Sequence, residues 1–221
     1  MTVATLTPEE KTRSRGRPRE FDMDAALDAA LRVFSERGYH AASISELTEA
    51  MGLASGSIYK AFKDKRAVFL AAFDRYTSLR NAQIRSIADT AKSGRDRIRD
   101  LLAFYVRSSH GVEGRLGCLV VGSAVEMAIF DPEIAARVTS TLKKNEALLA
   151  GLIAQGQSDG SISSAIDAED TARVLVCLTQ GLRVVGKTGR PPPAPAIVVD
   201  AAMKLLARSS PIKISRAVTH N

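Results

Sequence analysis

The sequence predicts an all-α protein, and three observations support this fold class. Aromatic residues make up only 5% of the 221 residues, whereas Ala and Leu, which favour helices over strands, are common. No stretch alternates apolar and polar residues strictly enough to predict a strand. Apolar residues instead recur at helical spacing between residues of the kinds that begin and end helices. We therefore expect about nine helices.

Composition excludes several classes of protein. No segment approaches the roughly 18 apolar residues of a membrane span, and residues 1–19 lack the apolar centre of a signal peptide, so we expect a cytoplasmic protein. Cys118 and Cys177 are too few and too scattered for a disulfide framework or a zinc site, and the three histidines form no ligand-spaced pair. Nothing in the sequence indicates a catalytic centre, a metal or a cofactor.

The N-terminal segment is predicted to hold a flexible arm and then a helix. Residues 1–19 are polar and basic without helical periodicity, which is typical of a disordered arm. A first helix runs from about Asp22 to Arg37, and Gly38 ends it. Its buried face is formed by Met23, Leu27, Ala30, Leu31 and Phe34.

The most informative stretch is 43–65, SISELTEAMGLASGSIYKAFKDK, which predicts two short helices joined by a tight turn. Ser43 and Glu46 have the spacing of a capping box, in which each side chain binds the other residue's backbone amide. Gly52 lies where the chain reverses, at a backbone angle that costs glycine little. Ala54 takes the capping position of the second helix without a side-chain oxygen, so this cap is weaker by up to ~1 kcal/mol.

The second helix, about Ser55 to Phe62, places Ile58 and Phe62 on one face. The residues that point away are small, polar or basic, namely Ser55, Gly56, Ser57, Tyr59 and Lys60. A helix-turn-helix needs this arrangement, because its second helix packs with one face and enters the major groove with the other.

Basic residues are clustered, although the net charge of +7 is by itself weak evidence for a nucleic-acid partner. Residues 1–65 contain ten basic and ten acidic residues, so the excess lies in 66–221. One acid-free basic run ends in Arg17 and Arg19, which we expect to enter a minor groove; a solubilising tail is the alternative. The second run comprises Lys60, Lys63, Lys65 and Arg66.

The remaining chain predicts a long fourth helix from about Asp64 to the break at Ser93-Gly94, and five further helices. The stretch 117–130 is apolar nearly all round, which indicates a buried helix. Asp131, followed by a proline, and Asp167 are expected to cap helices. The five helices span about 95–109, 117–130, 132–157, 167–187 and 196–208, and HGVEGRLG, SDGSISSAI and GRPPPAP separate them.

The stretch GLASGSIYKAFKDK, with GRPREFD upstream and RVFSERGYHAASISEL between, resembles the DNA-binding domain of the tetracycline-repressor (TetR) family over roughly residues 17–73. One departure is Ala61, where many members have a histidine. The residues that carry the resemblance are Phe34, Gly38, Tyr39, Tyr59, Phe62 and Lys65.

The resemblance implies a transcriptional regulator, most often a repressor, with a three-helix helix-turn-helix domain joined to a larger C-terminal helical domain for ligand binding and dimerisation. The implied division is a basic arm at 1–19, a DNA-binding domain at 20–66, an effector and dimerisation domain at 67–210, and a tail at 211–221. A homodimer through helices 167–188 and 196–208 would bind a palindromic operator, and a small molecule would release it.

The resemblance also implies roles for single residues. Ser43, Tyr59 and Lys65 are expected on DNA phosphates, and Ser55, Gly56, Ser57 and Lys60 on bases, while Lys63 is a further expected DNA contact. The buried Glu126 needs a partner, for which Arg107 and Arg183 are candidates. Cys118 is either a thiol that senses electrophiles or a packing residue. The expected effector pocket comprises Phe104, Tyr105, Arg107, Cys118, Val121, Glu126, Met127, Phe130 and Arg183.

Two other function classes remain open at this point. Gly181–Thr188 matches the phosphate-loop pattern of nucleotide-binding enzymes, but that loop requires a strand before it and a helix after it, whereas 171–185 has a helical apolar pattern. An architectural DNA-binding protein without an effector is the second alternative.

Overall fold

The computed structural model describes residues 22–90, 92–189 and 195–207, and over these ranges the chain is helical without a strand. None of these helices is long and apolar enough to cross a membrane. The arm at 1–19 with Arg17 and Arg19, most of the GRPPPAP linker and the tail lie outside the described residues. The helices are α1 Met23–Ala41, α2 Ile44–Met51, α3 Ser55–Ala61, α4 Lys65–Ala88, α5 Gly94–Ser108, α6 Gly111–Leu116, α7 Leu119–Glu126, α8 Pro132–Ser158, α9 Ala168–Lys187 and α10 Pro195–Met203, followed by a 3₁₀ turn Lys204–Leu206.

The first three helices begin where predicted, but α1 continues to Ala41 and is only kinked at Gly38, which was expected to end it. The Asp22 carboxylate accepts hydrogen bonds from two backbone amides of the first turn of α1. Ser43 and Glu46 form the predicted capping box at α2. Gly52 adopts the left-handed conformation with φ 65°, and Ala54 gives α3 no side-chain cap. The predictions for the capping box, for Gly52 and for Ala54 are confirmed.

Helix α4 belongs to two hydrophobic cores. Its first half, with Val68, Phe69 and Phe73, joins α1, α2, α3, α7 and the start of α8 in the first core. Its last turns, with Ile84 and Ala88, join α5, the end of α8, α9 and α10 in the second core. The structure thus continues the core of the helix-turn-helix beyond residue 66 and into helices that follow much later in the sequence. The residue boundaries assigned to the domains stay a prediction.

The prediction for 109–130 is wrong in two respects. HGVEGRLG was expected to be a loop, but it contains helix α6. A single buried helix was expected over 117–130, but Gly117 has φ 81°, α7 ends at Glu126, and turns follow. Ile129 and Phe130 in these turns are 81% and 79% exposed. Helix α7 packs against both α1 and α8, and the turns after it leave these two side chains in solvent.

The C-terminal helices follow the predicted pattern. Asp131 caps α8 with a proline at its first position, and Asp167 caps α9. Helices α5 and α8 approach so closely at Gly94 that a side chain there would collide with the backbone of Gly156. Helix α9 continues to Lys187, so the phosphate-loop pattern lies within a helix. Nucleotide binding there is excluded as predicted, because a helix cannot wrap its amides around phosphate.

Candidate DNA-binding surface and interior cavity

Helix α3 presents an exposed face beside the tight turn. Ile58 is fully buried in the first core, whereas Tyr59 is 56% exposed. Gly56, Ser57 and Lys60 are exposed on the same outward face. The face therefore offers small groups, one hydroxyl-bearing ring and a cation, which suits entry into a major groove.

The basic run at 60–66 is divided between the surface and the interior of the protein. Lys60 and Lys63 are exposed, and none of the ion pairs or hydrogen bonds found among the described residues involves either of them. Arg66 instead donates to Asp131 at 2.6 Å and to Glu133 at 2.7 Å, which ties the start of α4 to the start of α8. The ion pair with Arg66 lowers the pKa of Asp131 to about 2. Within this run, Lys60 and Lys63 thus have no acidic partner in the part of the chain that the structure describes, whereas Arg66 has two.

Lys65 binds the C-terminal end of α1. Its Nζ donates to the carbonyl oxygens of Tyr39 at 2.9 Å, His40 at 3.4 Å and Ala42 at 2.8 Å. The ammonium also lies 4.6 Å from the centre of the Tyr39 ring. A lysine has three N–H donors, and three backbone carbonyls use them here. In this structure the charge of Lys65 therefore stabilises the end of α1, and its contact with a DNA phosphate stays a prediction.

Two residues from the C-terminal helices hold the same end of α1. Glu126, the last residue of α7, accepts a hydrogen bond from the backbone N–H of Tyr39 at 2.8 Å. Lys187, the last residue of α9, donates to the carbonyl oxygen of Ser35 at 3.1 Å. The expectation that Glu126 pairs with an arginine is therefore wrong, because a backbone amide satisfies its carboxylate. Both contacts connect the C-terminal helices to the helix-turn-helix.

A small cavity lies between α4, α5, α8, α9 and the start of α7. Its volume is about 20 Å³, which is room for about one water molecule. A larger ligand must therefore widen the cavity before it can bind. The wall consists of Tyr76, Thr77, Arg80, Asn81, Ile84, Tyr105, Cys118, Val120, Thr141, Asn145, Gln180 and Arg183.

Three of the nine residues expected in an effector pocket line this cavity, namely Tyr105, Cys118 and Arg183. Arg107 and Phe130 are exposed instead, Met127 is buried in the first core, and Glu126 faces α1. Neither Phe104 nor Val121 reaches the cavity wall, although the Phe104 ring stacks against Arg80 at 4.9 Å.

The sequence analysis missed the contribution of α4 to this cavity. Tyr76, Arg80 and Ile84 recur every four residues on one face, where two polar groups interrupt an otherwise apolar stripe. That interruption was the available signal. Burial raises the pKa of Tyr105 to about 12 and also raises that of Tyr76, although Arg80 and Arg183 act in the opposite direction. Both hydroxyl groups are therefore neutral hydrogen-bonding groups at physiological pH.

Cys118 and Cys177 occupy different surroundings. Cys118 is the residue before α7, it is partly buried, and the Tyr76 hydroxyl lies 3.4 Å from its sulfur. Cys177 is exposed on α9. Within the described ranges, no group of three or more His, Cys, Asp or Glu side chains is arranged to hold a metal ion.

An exposed recognition helix and an interior cavity, connected through α4 and α7, define a two-domain helix-turn-helix regulator. The family model described as bacterial regulatory proteins, tetR family, matches residues 26–72. A second model, the tetracyclin repressor-like C-terminal domain, matches residues 94–202. The chain belongs to the TetR family, and it is a DNA-binding transcriptional regulator rather than an enzyme.

Individual relatives agree with this assignment. A cysteine mutant of the TetR family transcriptional regulator CifR, solved with a 26-base-pair operator duplex, is 31% identical, covers 85% of this chain and 98% of its own, and has a TM-score of 0.76. The transcriptional repressor ComR of Escherichia coli K12 is 29% identical over 85% of this chain and 90% of its own length. The transcriptional activator FasR of Mycolicibacterium smegmatis is 31% identical over 44% of this chain and 45% of its own length.

Proposed function

We propose that the protein is a cytoplasmic repressor that binds a palindromic operator as a homodimer and leaves it when a small molecule occupies the interior cavity. The observation that carries this proposal is the outward face of α3, where Gly56, Ser57 and Lys60 are exposed beside the buried Ile58. The resemblance to ComR, which is named a repressor, supports repression over activation.

In the proposed complex, residues 20–66 contact the duplex and residues 1–19 extend along it. Base edges are read from the outward face of α3 and phosphates are bound at its rim, while the arm enters the adjacent minor groove. The base contacts are Ser55, Gly56, Ser57 and Lys60, the phosphate contacts are Ser43, Tyr59 and Lys63, and the minor-groove contacts are Arg17 and Arg19.

The dimer interface is proposed on the outer faces of α9 and α10. Both helices, with the 3₁₀ turn after α10, leave large apolar side chains between 43% and 64% exposed, namely Val174, Val184 and Val185 on α9, Ile197 on α10 and Leu205 in the turn. Those on α9 recur at helical spacing with the exposed Cys177 and Gly181 between them. Two copies of this apolar stripe would bury one another in a four-helix bundle around a two-fold axis, which would set the recognition helices ~34–36 Å apart.

Release is proposed to pass through α7. Cys118, the residue before this helix, lines the cavity. Glu126, the last residue of the helix, accepts a hydrogen bond from Tyr39 at the end of α1. A ligand larger than about one water must widen the cavity and so displace the start of α7. The widened state binds the ligand and the original state binds the operator. Binding of the ligand therefore disfavours binding of the operator, and the reverse is also true.

The test begins by selecting bound sequences from a random duplex pool and measuring protomers per duplex. We expect a palindrome with two protomers. Val184→Glu should place two charges in the interface, give a monomer and lower operator affinity about 100-fold or more. Val112→Glu, at a residue 69% exposed on α6, is the matched control and should remain dimeric.

Two results would contradict parts of this proposal. A Val184→Glu protein that stays dimeric and binds normally would remove the interface from α9. Binding that shows no sequence preference and responds to no ligand would favour an architectural DNA-binding protein instead.

A further inference from the structure

Arg183 is a buried cation without an acidic partner. The residue is 2% exposed, and its Nη2 donates to the carbonyl oxygen of Gly117. Its Nε and Nη1 are buried and have no hydrogen-bond partner among the described residues. Buried polar groups in proteins are nearly always paired, so donors left free toward a cavity call for an explanation.

The rest of the cavity wall does not neutralise this charge. No aspartate or glutamate belongs to the lining. Arg80 adds a second positive charge, and its own partner, Glu113, lies 2.9 Å from its Nη2 on α6, outside the lining. Tyr76 and Tyr105 are neutral because burial raises the pKa of each. The cavity wall therefore carries the unpaired positive charge of Arg183 together with the apolar side chains of Ile84 and Val120.

We propose that the effector is a small organic acid whose carboxylate binds the free N–H groups of Arg183. This inference rests on the proposed function and specifies the ligand class for the same cavity. A carboxylate forms charge-assisted hydrogen bonds with a guanidinium, and these are the strong ones in a site shielded from water. The apolar part of the acid packs against Ile84 and Val120, while Arg80 increases the selection for a negative charge.

The same arginine transmits the binding event. Arg183 holds the carbonyl oxygen of Gly117, which lies between α6 and α7 and has φ 81°. An acid that attracts the guanidinium into a widened cavity changes its position relative to Gly117. Cys118, which precedes α7, is the next residue along the chain, so the ligand and the α7 segment are connected through one side chain.

The experiment measures the thermal unfolding midpoint with acids and their uncharged amides at matched ionic strength. The probes are acetate, hexanoate and benzoate, each against acetamide, hexanamide and benzamide. At least one acid should raise the midpoint by roughly 5 °C at a concentration 100-fold above its Kd, and its amide should not. If no acid raises the midpoint more than its amide does, the inference is overturned.

Two variants assign the effect to Arg183. Arg183→Gln should lose the response to the acid, whereas Arg173→Gln should keep it, because Arg173 is exposed on the same helix. If Arg183→Gln fails to fold, Arg183→Lys retains the charge and should bind the acid at least tenfold more weakly, since a point charge replaces the planar guanidinium. An affinity for the acid that is unchanged in Arg183→Gln or in Arg183→Lys would overturn the assignment.

The operator assay separates this inference from the proposed function. Release of the operator by a neutral molecule, with no response to any acid, would overturn the acidic ligand and leave the repressor intact. Failure to bind any operator, while acids still raise the unfolding midpoint, would overturn the repressor alone.

Discussion

The recognition helix and the interior cavity use positive charge in opposite ways. Lys60 and Lys63 stand in solvent, where their attraction to phosphate is long-ranged, tolerant of geometry and weakened by salt. Arg183 is buried, where a charge without a partner is costly and salt screens little. We therefore expect the outer surface to attract any duplex, and the proposed ligand cavity to discriminate one small ligand from another. Sequence charge alone does not distinguish these two uses.

Lys65 tests this comparison between surface and buried cations. It is close in sequence to the surface cations, but its ammonium group binds backbone carbonyls of the protein. Lys65→Met keeps the length of the side chain and removes the charge. Hydrogen bonds from charged groups contribute about 2 kcal/mol, so the unfolding midpoint should fall by roughly 6 °C. Lys63→Met, the matched surface control, should leave the midpoint unchanged. Thermal unfolding followed by circular dichroism measures both.

The salt dependence of operator binding separates the two roles of Lys65. If Lys65→Met unfolds at the wild-type temperature but loses about one unit of salt slope, Lys65 is a phosphate contact after all. A lower midpoint with an unchanged salt slope assigns it to the end of α1.

Lys60 should affect operator binding rather than the unfolding midpoint, and the change in free energy should be smaller than the one expected for Lys65→Met. Lys60→Ala should leave the unfolding midpoint unchanged and lower affinity for the selected operator about tenfold relative to random DNA, because a contact to a base edge contributes ~1–3 kcal/mol of discrimination. Lys144→Ala removes an exposed charge from α8 and should change neither quantity. Equal losses on operator and random duplexes would make Lys60 a phosphate contact.

Local signals in the sequence were sufficient to predict the first three helices. The capping residues of these helices act on neighbours within four residues, so their effects can be predicted from the sequence alone. They are Ser43 with Glu46, Gly52 and Ala54. Helix α6 was missed because six residues hold less than two turns, too few for a periodic pattern. The exposure of Phe130 was missed because an apolar stretch does not reveal which of its faces another helix covers.

The candidate site could be predicted only in part, because its contacts join segments far apart in sequence. Arg183 and Tyr105 were expected from their helical context, and the cavity contains both. Glu126 is 87 residues from the amide of Tyr39 that satisfies it, and Lys65 is 23 residues or more from the three carbonyls it binds. No local pattern specifies such partners, so the sequence analysis assigned Glu126 an arginine partner and did not reveal the three carbonyls that Lys65 binds.

The two cysteines extend the comparison between surface and interior. Alkylation by iodoacetamide joins an acetamide group to sulfur as iodide leaves. We expect Cys177, which is exposed, to react faster than Cys118, whose partly buried sulfur contacts the Tyr76 hydroxyl. Because Cys177 lies in the proposed dimer interface, its own modification would obscure the result, so the measurement requires a Cys177→Ser background.

In that background, an adduct on Cys118 enters a cavity of about 20 Å³ and must widen it. Overpacking an interior costs about 1–3 kcal/mol. If the widened state relieves roughly 1 kcal/mol of this cost, the adduct favours that state by the same amount. Because the original state is the one that binds the operator, operator affinity should fall about fivefold. The Cys118→Ser, Cys177→Ser double variant should not respond to the reagent. An alkylated protein that binds its operator with wild-type affinity would make Cys118 a packing residue, and a non-covalent ligand at Arg183 would then be the sole route to release.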